Sequence, residues 1–139
     1  GIKDESELEA LKREVESITL DFATGSAEIT PDQDELLNRV ASGVRRLNEF
    51  SQATGKTIRL EISGFADSTG TDELNMRLSQ ERAERALSAL ASKGVNASEV
   101  TAKGMGVRAA SSGDASTQGA RSYRSVTFKV ILPDFTGGN

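Results

Sequence analysis

Between residues 36 and 62 the period of the apolar residues changes, and this change constrains the fold more than any other feature of the chain. Leu36, Leu37, Val40, Val44, Leu47 and Phe50 recur every three or four positions, which is one stripe of a helix. Gly55 interrupts the stripe. Ile58, Leu60 and Ile62 then alternate with Arg59, Glu61 and Ser63, which is one face of a strand. A one-sided helix followed by a one-sided strand must bury both apolar faces in one core.

The same alternation of periods runs along the chain. "DESELEALKREVE" carries Leu8, Leu11 and Val15 at helical spacing. In "SITLDF", residues 17–22, Ile18, Leu20 and Phe22 share one face of a strand. Thr30 followed by Pro31 reads as a helix cap and first helical position. Another helix is expected to run to about residue 93, stopped by Gly94. "EVTAKGMGV" reads as a third strand and "RAASSGDASTQGARS" as a loop of small polar residues. "YRSVTFKVIL" reads as a last strand with Val126, Phe128 and Val130 on one face. The order helix, β, α, β, α, β, loop, β predicts an α+β fold, a two-layer α/β sandwich whose mixed sheet is backed by helices. Residues 1–16 are expected to be a helix or linker from a larger protein, 17–132 the domain, and 133–139 a tail.

The 139 residues are 36% hydrophobic and 27% charged, a globular balance. The net charge of −4, with five Phe and one Tyr, argues against nucleic-acid binding. No run approaches the ~20 apolar residues of a membrane span. Cys and His are both absent. That removes thiol nucleophiles, Ser-His-Asp triads, disulfides and most zinc sites. The chain therefore reads as a non-enzyme without metal or cofactor.

Two features remain as candidate sites. "GMGVRA", Gly104 to Ala109, fits G-x-G-x-x-A, but no helical period follows it. It reads better as glycines that let a strand end turn sharply. "GFADSTGTDELNMRLSQERA", residues 64 to 83, holds Asp67 at a strand end, where ligands commonly dock. Asn75, Ser79 and Arg82 follow on one stripe of a helix. One reading is a structural network in which Asn75 ties the turn and Arg82 pairs with Asp67. The other makes Arg82 a fork for a ligand carboxylate and Asp67 an acceptor for a ligand ammonium. Spacing alone favours the structural network.

This stretch resembles the segment of OmpA-like C-terminal domains written G-H/Y-T-D-x-x-G-x-x-x-x-N-x-x-L-S-x-x-R-A. Gly64, Asp67, Gly70, Asn75, Leu78, Ser79, Arg82 and Ala83 stand at that spacing. "LDFATGSAEITPDQDELLNRVA" is similar to the first strand, turn and helix of the family, and the likeness covers about residues 18 to 131. It implies the mixed sheet of the OmpA, peptidoglycan-associated lipoprotein and MotB type. It also implies non-catalytic attachment to peptidoglycan in the periplasm through the diaminopimelate residue of the stem peptide. On that resemblance Asp67 receives the ligand ammonium and Arg82 grips its carboxylate. Thr24 and Gly25 line the pocket from the first turn, Asn75 orders the loop, and Arg124 is a second cation.

Phe65 and Ala66 stand where the family has His or Tyr and then Thr, and Tyr123 and Ser125 stand in its Asn-Arg-Arg-Val run. These departures motivate an alternative, a degenerate OmpA-like domain serving as a protein-interaction or assembly module. Membrane attachment is expected only through segments outside this chain. The helix before the first strand is compatible with a linker or a homodimer contact.

Overall fold

Every other strand takes its register, directly or through one neighbour, from β2 (Arg59–Ala66). The computed structural model describes residues 5–67, 70–107 and 124–133. In it β2 pairs in parallel with β3 (Val100–Val107) and antiparallel with β4 (Ser125–Ile131). β1 (Thr19–Asp21) pairs antiparallel with β4, so the order is β1-β4-β2-β3. β1, β2 and β3 thus point one way, and β4 runs back between β1 and β2. The carboxyl ends of β1 and β2 consequently meet the start of β4 at one end of the sheet.

One face of the sheet carries the core. Leu20, Leu60, Ile62, Val126, Phe128 and Val130 pack with Leu37, Val40, Val44 and Leu47 of α2 (Pro31–Thr54) and with Ala83, Ala86 and Leu90 of α3 (Asp72–Ser92). Each fully buried Leu, Ile or Val side chain of this set contributes about 1.5–3 kcal/mol. Arg59, Glu61 and Lys129, on the alternate positions, are exposed. The architecture is the expected two-layer α+β sandwich.

The helix α1 (Glu5–Glu16) is not a lead-in set apart from this core. Leu8, Leu11 and Val15 are buried in the same cluster, against α2 and β4. Gly43 makes the approach possible, because a Cβ there would lie 2.9 Å from Val15 Cγ2. β1 is also shorter than the six residues expected. Ser17 and Ile18 donate their N–H groups back to Arg13 and Val15 in the last turn of α1, so the strand begins only at Thr19.

The helix ends follow their sequence signals with one difference. Thr30 precedes Pro31, but its side chain makes no cap bond; its carbonyl accepts from Asp34 N–H instead. Thr71 does cap α3, its Oγ1 accepting from Leu74 N–H at 3.1 Å. Gly94, at φ +92°, closes α3: its N–H reaches Ala91 O, and Val95 N–H reaches Leu90 O.

Three helix side chains cover sheet edges that would otherwise present bare backbone. Gln80 Oε1 accepts from Gly104 N–H at 2.7 Å and its Nε2 donates to Ala102 O at 3.2 Å, as a neighbouring strand would. Gln33 Oε1 accepts from Asp21 N–H at 2.7 Å. Glu16 Oε2 accepts from Val130 N–H at 2.8 Å, where β1 no longer covers β4.

α3 lies directly on β2 and β3 because the strands carry glycine beneath it. A Cβ at Gly64 would meet Ser79 O at 2.0 Å, and one at Gly104 would meet Gln80 N at 2.3 Å. Gly104 and Gly106 therefore lie within β3 under the helix and do not turn a strand end. Between Gly64 and Ala66 the register with β3 shifts, so Phe65 opposes two residues, and Gly106 takes φ +71° in this bulge. Arg108 and Ala109 of the same motif, the small-residue loop, Tyr123 and the tail beyond Pro133 lie outside the described residues.

Candidate functional site

At the end of the sheet where β1 and β2 finish and β4 starts, the chain gathers Asp67, Arg82 and Arg124. Topology alone brings them together. Asp67 follows β2, Arg124 precedes β4, and α3 lays Arg82 over the end of β2. The turn after β1, Ala23 to Ser26, closes the group from the other side. Its Ser26 N–H donates to Ala23 O at 3.1 Å. Gly25, third in this turn, sits at φ +71°, which favours glycine.

Arg82 has 0% exposure and is the largest fully buried side chain among the described residues. Its Nε donates to Ser26 O at 2.8 Å, its Nη1 to Phe65 O at 2.8 Å, and its Nη2 to Ala23 O at 3.0 Å. The guanidinium thus pins both ends of the first turn to the end of β2. Its carbon also lies 5.2 Å from the centroid of the Phe22 ring. Burial pushes the Arg82 pKa down from its ordinary value; the nearby Asp67 carboxylate opposes that shift, Arg124 reinforces it, and Glu81 opposes it.

Asp67 does not pair with Arg82 by direct contact. Its Oδ2 lies 3.3 Å from Arg124 Nη1, and the two side chains are 20% and 23% exposed. Arg124 Nε donates to Phe22 O at 3.1 Å, while its own carbonyl accepts from Phe22 N–H. The Arg124 backbone is therefore fixed beside β1, and its guanidinium spans from Phe22 to Asp67.

Asn75 is buried and donates from Nδ2 to Gly70 O at 3.4 Å, a long contact across the turn between β2 and α3. Ser79, on the same stripe, serves the sheet. Its Oγ accepts from Gly106 N–H and donates to Met76 O, both at 2.9 Å. Thr24 is exposed on the first turn. An open cleft of about 310 Å³ runs beside this turn, lined by Gly25, Gly70, Leu74, Asn75, Arg77, Leu78 and Glu81. It shares Gly25 with the turn that Arg82 pins.

Of the residues named from sequence, Gly25 and Asn75 line the cleft, while Asp67, Arg82 and Arg124 gather at the sheet end and are not among its lining residues. Thr24 is exposed on the first turn, and Ser79 is turned to the sheet. The contacts that organise the region were not visible in sequence: the three carbonyls around Arg82, the Asp67–Arg124 pair, and the edge bonds of Gln80. Ala66 is 1% exposed and is not among the residues that line the cleft. Phe65 contributes its carbonyl oxygen to Arg82, which any residue type can do. Among the described residues no group of three or more Asp or Glu side chains could hold a metal ion. Arranged this way, the partly exposed Asp67 carboxylate and Arg124 guanidinium, with the buried charge of Arg82 behind them, can recognise a small zwitterion.

The model of the OmpA family matches residues 21–124. The chain is 38% identical over 85 residues to the probable lipoprotein YiaD of Escherichia coli, covering 61% of this chain and 35% of that protein. It is 28% identical over 109 residues to the peptidoglycan-binding protein ArfA of Mycobacterium bovis, covering 78% of this chain and 31% of that one. The chain therefore spans about a third of either relative. The crystal structure of the peptidoglycan-associated lipoprotein from Burkholderia pseudomallei superposes with a TM-score of 0.66 at 23% identity, covering 81% of this chain and 89% of that one.

Proposed function

The chain belongs to the OmpA family, and from that premise we propose that it holds peptidoglycan non-covalently through the diaminopimelate residue of the stem peptide. It acts as the wall-anchoring domain of an envelope protein and works in the periplasm. The observation that carries this reading is the convergence of Asp67, Arg82 and Arg124 at the end of the sheet, against the first turn that Arg82 pins.

Asp67 receives the ligand ammonium. Arg82 and Arg124 supply the positive field for its carboxylate, and Thr24, Gly25 and Asn75 wall the ligand in. The chemistry is recognition, not catalysis, and needs no cofactor. The likeness to a peptidoglycan-binding protein and to two lipoproteins supports an envelope role. No helix of the described residues is long and apolar enough to cross a membrane, so attachment to one is expected from other segments.

The test is co-sedimentation of the domain with purified sacculi. Asp67→Ala is expected to weaken binding by about tenfold or more while the chain stays folded, because it removes the ammonium acceptor. Undiminished binding by folded Asp67→Ala would overturn the proposal and favour the interaction-module reading.

A further inference from the structure

We propose that Arg124 is the exchangeable partner of Asp67, and that this exchange makes the site select a ligand bearing an ammonium and a carboxylate together over one bearing the ammonium alone. The inference rests on the reading of Asp67 as the ammonium acceptor and adds the residue that discriminates.

Three observations carry it. First, Arg124 Nη1 already occupies Asp67 Oδ2, so an incoming ammonium meets an internal cation at its acceptor. Second, this contact is loose. At 3.3 Å it is longer than the ~2.7–2.9 Å of a tight charge-assisted bond, and both side chains are about one-fifth exposed. Third, Arg82 cannot take over the exchange. Three nitrogens of its guanidinium hold backbone carbonyls and its side chain is fully buried, so moving it would release the first turn.

The charge balance then decides which ligands fit. Without a ligand Asp67 and Arg124 form one ion pair. An amino-acid headgroup, such as the free end of diaminopimelate, brings one ammonium and one carboxylate. The ammonium takes Asp67, and the released Arg124 guanidinium takes the carboxylate. One ion pair becomes two. The Arg124 backbone stays in place through its reciprocal bonds with Phe22, so only the end of the side chain moves. A lysine-type stem offers the ammonium without that carboxylate. It would displace Arg124 and only exchange one ion pair for another, leaving the Arg124 charge to water beside the fixed charge of Arg82. The selectivity comes mainly from the second ion pair, which only a ligand with both groups can make.

The experiment is calorimetric titration of the wild-type domain, Asp67→Ala, Arg124→Gln and Arg124→Lys with synthetic stem peptides of the diaminopimelate and lysine types. Wild type is expected to prefer the diaminopimelate stem by about tenfold or more, and Arg124→Gln to cut that preference to about threefold or less. The loss should fall mainly on the diaminopimelate stem. Asp67→Ala is expected to lose both ligands. Arg124→Lys keeps the cation without the Nε bond, and is expected to keep the preference, which separates charge from folding.

Binding that Asp67→Ala removes, but whose preference Arg124→Gln leaves unchanged, overturns this inference and leaves the proposed function standing. So does a folded Arg124→Lys that loses the preference. Wild type that binds neither stem overturns both.

Discussion

Arg82 and Arg124 stand at the same end of the sheet, one on α3 and one just before β4, and their guanidinium groups are held in opposite ways. Arg82 has 0% exposure and three backbone carbonyls at 2.8–3.0 Å. Arg124 is 23% exposed and touches its carboxylate at 3.3 Å. The difference follows from burial. A cation removed from water must find all its partners in the protein, and carbonyls fixed by turn and strand provide them without needing a particular side chain. A cation at the rim keeps water as an alternative, so its protein contacts can be loose. The first arrangement builds a site and the second leaves one able to respond.

The comparison breaks most sharply at Arg82. Arg82→Ala removes the donor from three carbonyls and leaves a cavity where a fully buried side chain stood. The expected loss is about 3–5 kcal/mol, read by denaturant unfolding. A change below about 1 kcal/mol would mean that Arg82 is no clamp, and the contrast with Arg124 would collapse.

Gly64→Ala tests the clamp without touching the arginine. A Cβ at 64 would sit 2.0 Å from Ser79 O, so α3 must lift from β2. That lift carries Arg82 away from Phe65 O, and overpacking of this kind costs about 1–3 kcal/mol. Stability should fall by that amount, with the first turn exchanging its amide hydrogens faster. Unchanged exchange in that turn would separate the helix contact from the arginine clamp.

The period change at residues 36 to 62 made the fold legible, because a stripe and an alternating face leave few ways to share a core. Leu60, Ile62, Val126, Phe128 and Val130 are buried as their alternation requires. The site was legible as a set of residues but not as a set of bonds. Arg82 bonds to carbonyls 56, 17 and 59 positions away, and a carbonyl carries no residue-type signal. Likewise nothing in spacing chooses Arg124, 57 positions from Asp67, over Arg82 as its direct partner. The place of α1 was half legible. Its stripe was visible, and Gly43 within the apolar run of α2 was the available sign that another element packs there. Gln80 was hidden for a different reason: on the helix it looks like any exposed polar residue, and only the free edge of β3 gives it a role.

The smallest expected effect lies at the rim and sharpens the comparison from the other side. Arg124→Gln removes an ion pair whose members are both partly solvated, together with one bond to Phe22 O. Exposed pairs contribute about 0.2–1 kcal/mol, and the side chain–carbonyl bond adds a similar amount. The unfolding free energy should therefore fall by about 0.5–1.5 kcal/mol. Added salt should shrink the difference between wild type and variant, since a pair reached by water is screened. A loss comparable to that of Arg82→Ala would make Arg124 a second clamp, and its side chain could not then leave Asp67 for a ligand. A small, salt-sensitive loss is what an exchangeable cation requires, because the contact it gives up must be weaker than the contacts the ligand provides.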